Sequence, residues 1–319
     1  MNYIIGHDAD PDGLIFHGLA RRLHKLTTHF FAGYSNLIDP FVEVLKHPSG
    51  RVIVGDLSFQ HQFEGGALLH PILNHHSGLD WYDHHNESRD NRKILEDLCG
   101  TVVVETNACA SMLFQEHNMP GDIYAAKIVQ IAQAHDFLRT GSPYWGVAND
   151  LQDVISSGFD LTQLLDDIAH ERVFTSDAES LVEGYAHQVV SQYKEQKAVA
   201  AEELLSSIKI LNGKSPSIAY ALSPKLLYMK AGPNIMDGTV PNTDADILVT
   251  FFKDLNSVFV IGRNGYGVHS TKMCQDFGGG GRGPRGGFSL DHKANLQSYN
   301  LDIEVTDAKI RKYLQNNLA

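Results

Sequence analysis

Three times in the first 85 residues a short apolar run breaks off directly into acid and imidazole. Asn2–Gly6 leads into His7-Asp8-Ala9-Asp10-Pro11-Asp12-Gly13, Arg51–Gly55 leads into Asp56, and Leu79–Tyr82 leads into Asp83-His84-His85. The runs read as strands, and helical patterns separate them, which together predict strands and helices stacked in α/β layers. The ionisable residues then fall just beyond the carboxyl end of each strand, and in an open α/β sheet that edge is where ligands collect.

Further strands are expected at His29–Tyr34 and at Thr101–Val104, the latter either a strand or an extended lead into a helix. Helices are expected at Leu14–Leu26, Ala108–His117 and Asp122–Leu138. From Ala178 to Leu211 the pattern reads as nearly continuous helix, long enough to bridge two domains, and Asn212-Gly213-Lys214-Ser215-Pro216 ends it in turn chemistry. Strands follow at Ser217–Leu222, Ile247–Lys253 and Ser257–Gly262, and then the glycine-dense segment FGGGGRGPRGGFSL. The expectation is therefore an α/β chain in three parts. A mostly parallel-sheet domain over 1–190 is joined by a helical linker, 191–212, to a smaller α/β domain over 213–319.

Composition excludes several classes of function. With 26 Lys+Arg against 38 Asp+Glu the formal net charge is -12, so no general duplex-binding surface is expected, although a local basic patch could grip phosphate. No stretch approaches the 18 continuous apolar residues of a membrane span, so no membrane partner is expected. The start, MNYIIGHDADPDG, lacks a basic region ahead of its apolar run, which leads us to expect a cytoplasmic protein. Cysteines at 99, 109 and 274 make neither a disulfide framework nor a paired thiolate cluster. Histidine, at 17 of 319 residues, is in excess, and several copies adjoin aspartates.

The segment HDADPDG has two readings. His7, Asp8, Asp10 and Asp12 could hold divalent cations, or the aspartates could form an Asx-rich turn that caps the helix after it. The balance moves towards cations when Asp56, Asp83-His84-His85 and the aspartate of QAHDFL, Asp136, are added. Several acid-bearing segments gathered at one edge would repel each other unless cations neutralised them. Two cations held together can polarise a phosphoryl oxygen and activate water for in-line attack. Neither a Walker-type loop nor a GxSxG elbow is present, which argues against kinase chemistry and a serine nucleophile.

In order along the chain, HDADPDG, GDLS, YDHHNES and the aspartate of AHDF resemble the four blocks of the DHH phosphoesterase family. FGGGGRGPRGGF resembles the glycine-rich phosphate-contacting motif of that family's small C-terminal DHHA1 domain. The resemblance implies two divalent ions, Mn²⁺ first with Mg²⁺ or Co²⁺ as alternatives. By motif it assigns His7 and Asp10 to one metal, Asp12, His84 and Asp136 to the other, and Asp56 to both. Asp83 would orient an imidazole, and His85 would contact the phosphate. Asp8 matches no ligand position. The family has histidine where this chain has Arg282, so a binding role suits that guanidinium better than acid–base work.

In the second half, Gly280, Gly281, Arg282 and Arg285 form a candidate anion nest. Arg263, His269, Ser270 and Lys272 are candidates to line the same groove, with His269 taken as a substrate contact. Asn107 reads equally as a helix cap and as a substrate contact, while His75-His76 reads as structural. The leading functional reading is a metal-dependent phosphodiesterase. It would act on short single-stranded oligonucleotides or small dinucleotides by attack of metal-activated hydroxide on phosphorus. An exopolyphosphatase or pyrophosphatase is the first alternative and a non-catalytic nucleotide sensor the second. A homodimer is compatible with the sequence.

Overall fold

Period-two alternation runs along the first strand. In β1 (Asn2–His7), Tyr3 and Ile5 enter one core and Ile4 enters another, all three fully buried. The same split recurs in β3 (Arg51–Gly55), with Val52 and Val54 against Ile53, and in β4 (Gly78–Asp83), with Trp81 against Tyr82. A sheet buried on both faces needs helices on both, and strands of this kind read as near-continuous apolar runs. The computed structural model describes residues 1–33, 36–59, 63, 66–85, 88–137, 139–173, 191–193, 195–196, 198–199, 208–211, 216–223, 245–252, 256–262, 266–282, 285–291 and 299–317. It divides into two units, Met1–Ser191 and Gln192–Ala319.

The first unit contains a five-stranded sheet in the order β2-β1-β3-β4-β5, parallel throughout, with β2 at Thr27–Ala32 and β5 at Thr101–Val104. The chain moves from β1 outward to β2 and then returns across β1 to β3, so the strand order reverses between β1 and β3. A reversal of this kind splays the connections apart and opens a crevice at the carboxyl edge. On the face with Ile4 lie α1 (Pro11–Leu23), α5 (Ala110–Asn118), α6 (Ile123–Asp136), α7 (Trp145–Ser156) and α8 (Leu161–Ala169). On the face with Tyr3 and Ile5 lie α2 (Asp39–Val44), α3 (Leu69–His75) and α4 (Arg89–Leu98). Trp81 anchors that second core, stacking on Phe41 and donating its indole N–H to the Leu57 carbonyl at 3.1 Å.

The second unit has a six-stranded mixed sheet, β10-β11-β9-β8-β7-β6. Its strands are β6 (Lys209–Leu211), β7 (Ile218–Ser223), β8 (Ile247–Phe252), β9 (Ser257–Gly262), β10 (Gly280–Arg282) and β11 (Arg285–Ser289). Among the described residues only the β7–β8 pair of this sheet is parallel. One core joins β7, β8 and β9 to α9 (Gly267–Asp276) and α10 (Tyr299–Asn317). The sequence reading carries helix through Leu211, but Lys209–Leu211 pairs antiparallel with β7 instead. Helical residues occur at 191–193, 195–196 and 198–199, while 174–190 and 201–207 lie outside the described residues. Among the described residues no helix is long and apolar enough to cross a membrane.

Candidate metal centre

Strand β1 ends at His7 and α1 begins at Pro11, a residue suited to the first helical turn because it has no N–H to leave unpaired. Asp10 caps α1. Its Oδ1 accepts the Gly13 N–H at 3.1 Å, and its Oδ2 lies 3.0 Å from His7 Nδ1. The capping alternative is thus realised by a carboxylate whose other oxygen faces an imidazole. Burial pushes Asp10 up, but His7 and the Gly13 N–H carry it below the usual carboxylate range. His7 shifts the opposite way, raised by Asp10 and Asp8 against the effect of burial.

Asp12, on the first turn of α1, is buried and reaches across to α5. Its Oδ2 accepts the Ala110 N–H at 2.7 Å and its Oδ1 the Ser111 N–H at 2.8 Å. These are the first two N–H groups of α5, whose own N-cap, Cys109, supplies no side-chain capping bond. A carboxylate from elsewhere in the chain therefore caps the positive end of this helix. Asn107, a candidate cap in the sequence, is not the N-cap of α5. Even so, burial and then the Asp136 charge push Asp12 above the usual carboxylate range.

Asp56 follows β3 with φ of 56°, a left-handed backbone that Asp tolerates better than most residues. Its N–H donates to the Tyr82 carbonyl at 3.0 Å, which pins the turn to β4. Its Oδ1 lies 2.8 Å from His84 Nε2 and its Oδ2 3.8 Å from His7 Nδ1. Oδ2 is buried and has no hydrogen-bond partner among the described residues. Burial, then the charges of Asp10, Asp12, Asp136 and Asp83, drive this carboxyl well above its usual value.

Asp83 is the last residue of β4 and fully buried. Its Oδ1 lies 2.7 Å from His85 Nδ1, while its Oδ2 is buried with no hydrogen-bond partner among the described residues. Burial pushes Asp83 up, but His85 and His84 together hold it below the usual carboxylate value. His84 is surrounded by carboxylates: besides Asp56, its Nε2 is 3.6 Å from Asp12 Oδ2 and its Nδ1 is 3.3 Å from Asp136 Oδ2. Asp136, the last residue of α6, arrives from a helix rather than a strand.

Three sets of donor atoms, each within 4.8 Å of one another, result: His7, Asp10 and Asp56; Asp12, His84 and Asp136; and Asp56, Asp83, His84 and His85. Burial and the neighbouring Asp10, Asp12 and Asp136 charges disfavour ionisation of Asp56, and its Oδ2 is a buried acceptor with no hydrogen-bond partner among the described residues. Divalent cations would relieve both conditions, and mixed imidazole and carboxylate donors suit divalent metal ions. The residues therefore fit a pair of divalent metal ions.

Other candidates lie elsewhere. Asp8 is in none of the three donor sets. His76 sits before β4, at the opposite edge of the sheet, with Nδ1 3.3 Å from the Gly50 N–H and Nε2 3.2 Å from the Val44 carbonyl. Cys99 and Cys274 are free thiols pushed by burial up to about 12, with Cys109 also well above its usual value, which suits packing rather than nucleophilic attack. In the second unit, Gly280, Gly281 and Arg282 pair with Arg285, Gly286 and Gly287 in the β10–β11 hairpin, and half-buried His269 lies on α9. Ser270, a candidate groove residue, is instead buried and donates to the Tyr266 carbonyl at 3.0 Å. Arg263 and the side chains of Arg282 and Arg285 lie outside the described residues.

Sequence reasoning missed two groups. One is the pair of α5 N–H groups on Asp12. The other is Gln152 of α7, whose Nε2 donates to the Ala9 carbonyl at 3.0 Å and so ties down the loop between His7 and Asp10. Gln152 carries no local signal, because 143 positions separate it from its partner.

No protein-family model and no curated protein matches the chain. Solved structures do share its fold. An exopolyphosphatase-related protein from Bacteroides fragilis superposes with a TM-score of 0.57 at 12% identity, covering 98% of this chain and 92% of that one. RecJ from Thermus thermophilus, in complex with Mn²⁺, gives 0.56 at 15% identity over 99% of this chain, which spans 52% of that protein. A pGpG-specific phosphodiesterase, PggH, from Vibrio cholerae gives 0.52 at 13% identity over 98% of both chains.

Proposed function

We propose that this chain is a metal-dependent phosphodiesterase of the DHH phosphoesterase type, hydrolysing short single-stranded oligonucleotides or small dinucleotides. The observation that carries the reading is Asp56, a buried carboxylate on a left-handed turn that belongs to two donor sets and has one oxygen without a hydrogen-bond partner among the described residues. In this reading His7 and Asp10 hold one cation, Asp12, His84 and Asp136 hold the other, and Asp56 is shared. The ions are Mn²⁺ first, with Mg²⁺ or Co²⁺ as alternatives. When bound, they supply Lewis-acid polarisation of a phosphoryl oxygen and a lowered pKa for the attacking water.

The chain's own residues do the rest. The α5 N–H groups and the Gly13 N–H orient Asp12 and Asp10, so two ligands are held before any cation arrives. Asp83 holds His85 through Nδ1, and in our reading this imidazole meets the scissile phosphate. We assign metal binding to residues 1–190 and substrate binding to 213–319, with 191–212 as the linker. Gly280, Gly281, Arg282, Arg285 and His269 would take the substrate's phosphate. Gly280 has open space where a Cβ would stand, which supports close approach of a ligand to its backbone. The like-folded proteins, a Mn²⁺-bound RecJ and a pGpG-specific phosphodiesterase, are consistent with phosphate-ester chemistry.

The test is hydrolysis of a linear RNA dinucleotide, a short single-stranded RNA and polyphosphate, measured side by side with Mn²⁺. Cleavage of the first two supports the proposal. Phosphate release from polyphosphate alone establishes the exopolyphosphatase alternative, and binding with no turnover establishes a sensor. Asp56→Asn is the matching variant, because Asn tolerates the left-handed turn. It should fold, abolish hydrolysis and lose Mn²⁺-induced thermal stabilisation. Undiminished turnover would remove Asp56 from the centre.

A further inference from the structure

Gln133 lies one helical turn before Asp136 on α6, is 2% exposed, and uses both ends of its amide on one stretch of backbone. Its Oε1 accepts the Cys109 N–H at 2.8 Å and its Nε2 donates to the Asn107 carbonyl at 3.1 Å. That stretch runs directly into α5, whose next two N–H groups, of Ala110 and Ser111, hold the Asp12 carboxylate. Because the side chain of the N-cap residue Cys109 makes no capping bond to the helix's first N–H groups, the direction in which α5 starts is set from outside the helix. A primary amide matches this backbone pair, one donor to a carbonyl and one acceptor to an N–H. A carboxylate or an apolar side chain cannot reproduce both.

We infer that Gln133 is a positioning residue of the metal centre: by clamping residues 107–109 it aims the N-terminus of α5, and through it Asp12, at the site. The inference rests on the metal-binding reading above. It extends that reading to a residue that belongs to none of the donor sets and lies 24 positions from the backbone it clamps. Outer groups that orient ligands in this way typically alter metal affinity about 10–100-fold when removed.

A second buried amide supplies the comparison. Gln115, on α5 and 5% exposed, donates its Nε2 to the Met119 carbonyl at 2.9 Å, at the far end of the helix from Asp12. The experiment titrates Mn²⁺ calorimetrically into the full chain as wild type, Gln133→Met, Gln133→Glu and Gln115→Met, with metal-free thermal melts of each. Both Gln133 variants should bind Mn²⁺ at least about tenfold more weakly. Gln115→Met should match wild-type affinity even where its melting temperature falls as far. Gln133→Glu keeps the shape and the bond from Cys109, so it carries the test if Gln133→Met does not fold. Wild-type affinity in the Gln133 variants, or an equal loss in Gln115→Met, overturns the inference. A wild-type chain that takes up no Mn²⁺ overturns the metal-centre reading itself, an outcome distinct from either of these.

Discussion

Replacing Gly13 by alanine tests how tightly the first acidic loop is held between β1 and α1. A Cβ at this position would stand 2.2 Å from the His7 carbonyl oxygen, 2.7 Å from its carbon and 2.8 Å from the His7 Cβ, whereas real Cβ contacts essentially never fall under 3.0 Å. Two of the obstructing atoms are backbone and the third is the Cβ fixed to it, and His7 is held in register against Ala32 of β2, so rotating a side chain cannot relieve the clash. Relief requires α1 and the end of β1 to part by about 1 Å, with an overpacking cost of about 1–3 kcal/mol. For a unit of this size that corresponds to a fall in melting temperature of roughly 2–12 °C. The displacement falls on the segment carrying His7, Asp10 and Asp12, so Mn²⁺ affinity should drop about 10–100-fold as well. Gly78→Ala is the reference, because a Cβ there meets nothing within 4 Å. Thermal melts with and without Mn²⁺, together with calorimetric titration, read both effects. If Gly13→Ala melts and binds Mn²⁺ as Gly78→Ala does, the loop is not held as described.

Mn²⁺ binding should release protons, because Asp56 and Asp12 are raised by burial and by neighbouring carboxylates, and His7 is raised by Asp10. Affinity should therefore rise with pH above the usual carboxylate range, and the calorimetric heat should vary with buffer ionisation enthalpy. A buffer-independent heat contradicts this. Asp122 caps α6 through the Ala125 N–H at 2.9 Å and pairs with Arg22 Nε at 2.6 Å. Burial works against these contacts, yet they hold Asp122 below its usual value. Its contribution is thus complete above the unfolded carboxylate's pKa of about 3.9 and is lost as pH falls through the lower folded value. Asp122→Ala should cost about 1 kcal/mol or more at neutral pH. In urea unfolding its deficit against wild type should narrow in acid, and a deficit that widens there refutes the assignment. Arg282→Ala should raise KM with little change in kcat if this guanidinium grips ground-state phosphate, and unchanged steady-state constants would remove it from the substrate site.

Much of the first unit was legible because its information is local. Val52-Ile53-Val54 can be read as a two-faced strand without knowing its neighbours, and the break into Asp56 marks the strand end within one residue. The strand at Thr101–Val104 was ambiguous for the same reason, since four residues alone do not reveal that β4 lies beside them. The helix expected through Leu211 failed where pairing with β7 overrode a helical pattern. Within the glycine run, glycines beside the candidate nest residues Gly280 and Gly281 serve packing. A Cβ at Gly279 would stand 1.8 Å from the Gly287 carbonyl oxygen, and one at Gly286 2.9 Å from the Cys274 Cβ.

The sequence by itself determined which residue types stand at the strand ends, and hence that carboxylates and imidazoles gather along one sheet edge. Tertiary structure alone decided how they face each other. Asp12 is capped by N–H groups 98 and 99 positions away, Asp56 meets His84 across 28, and Gln133 reaches back 24 to the lead-in of α5. The physical reason is that strand periodicity and turn chemistry act between neighbours in the chain. Hydrogen bonds and charge coupling depend on distances of a few ångströms, and only the packing of α1, α5 and α6 on the sheet sets those.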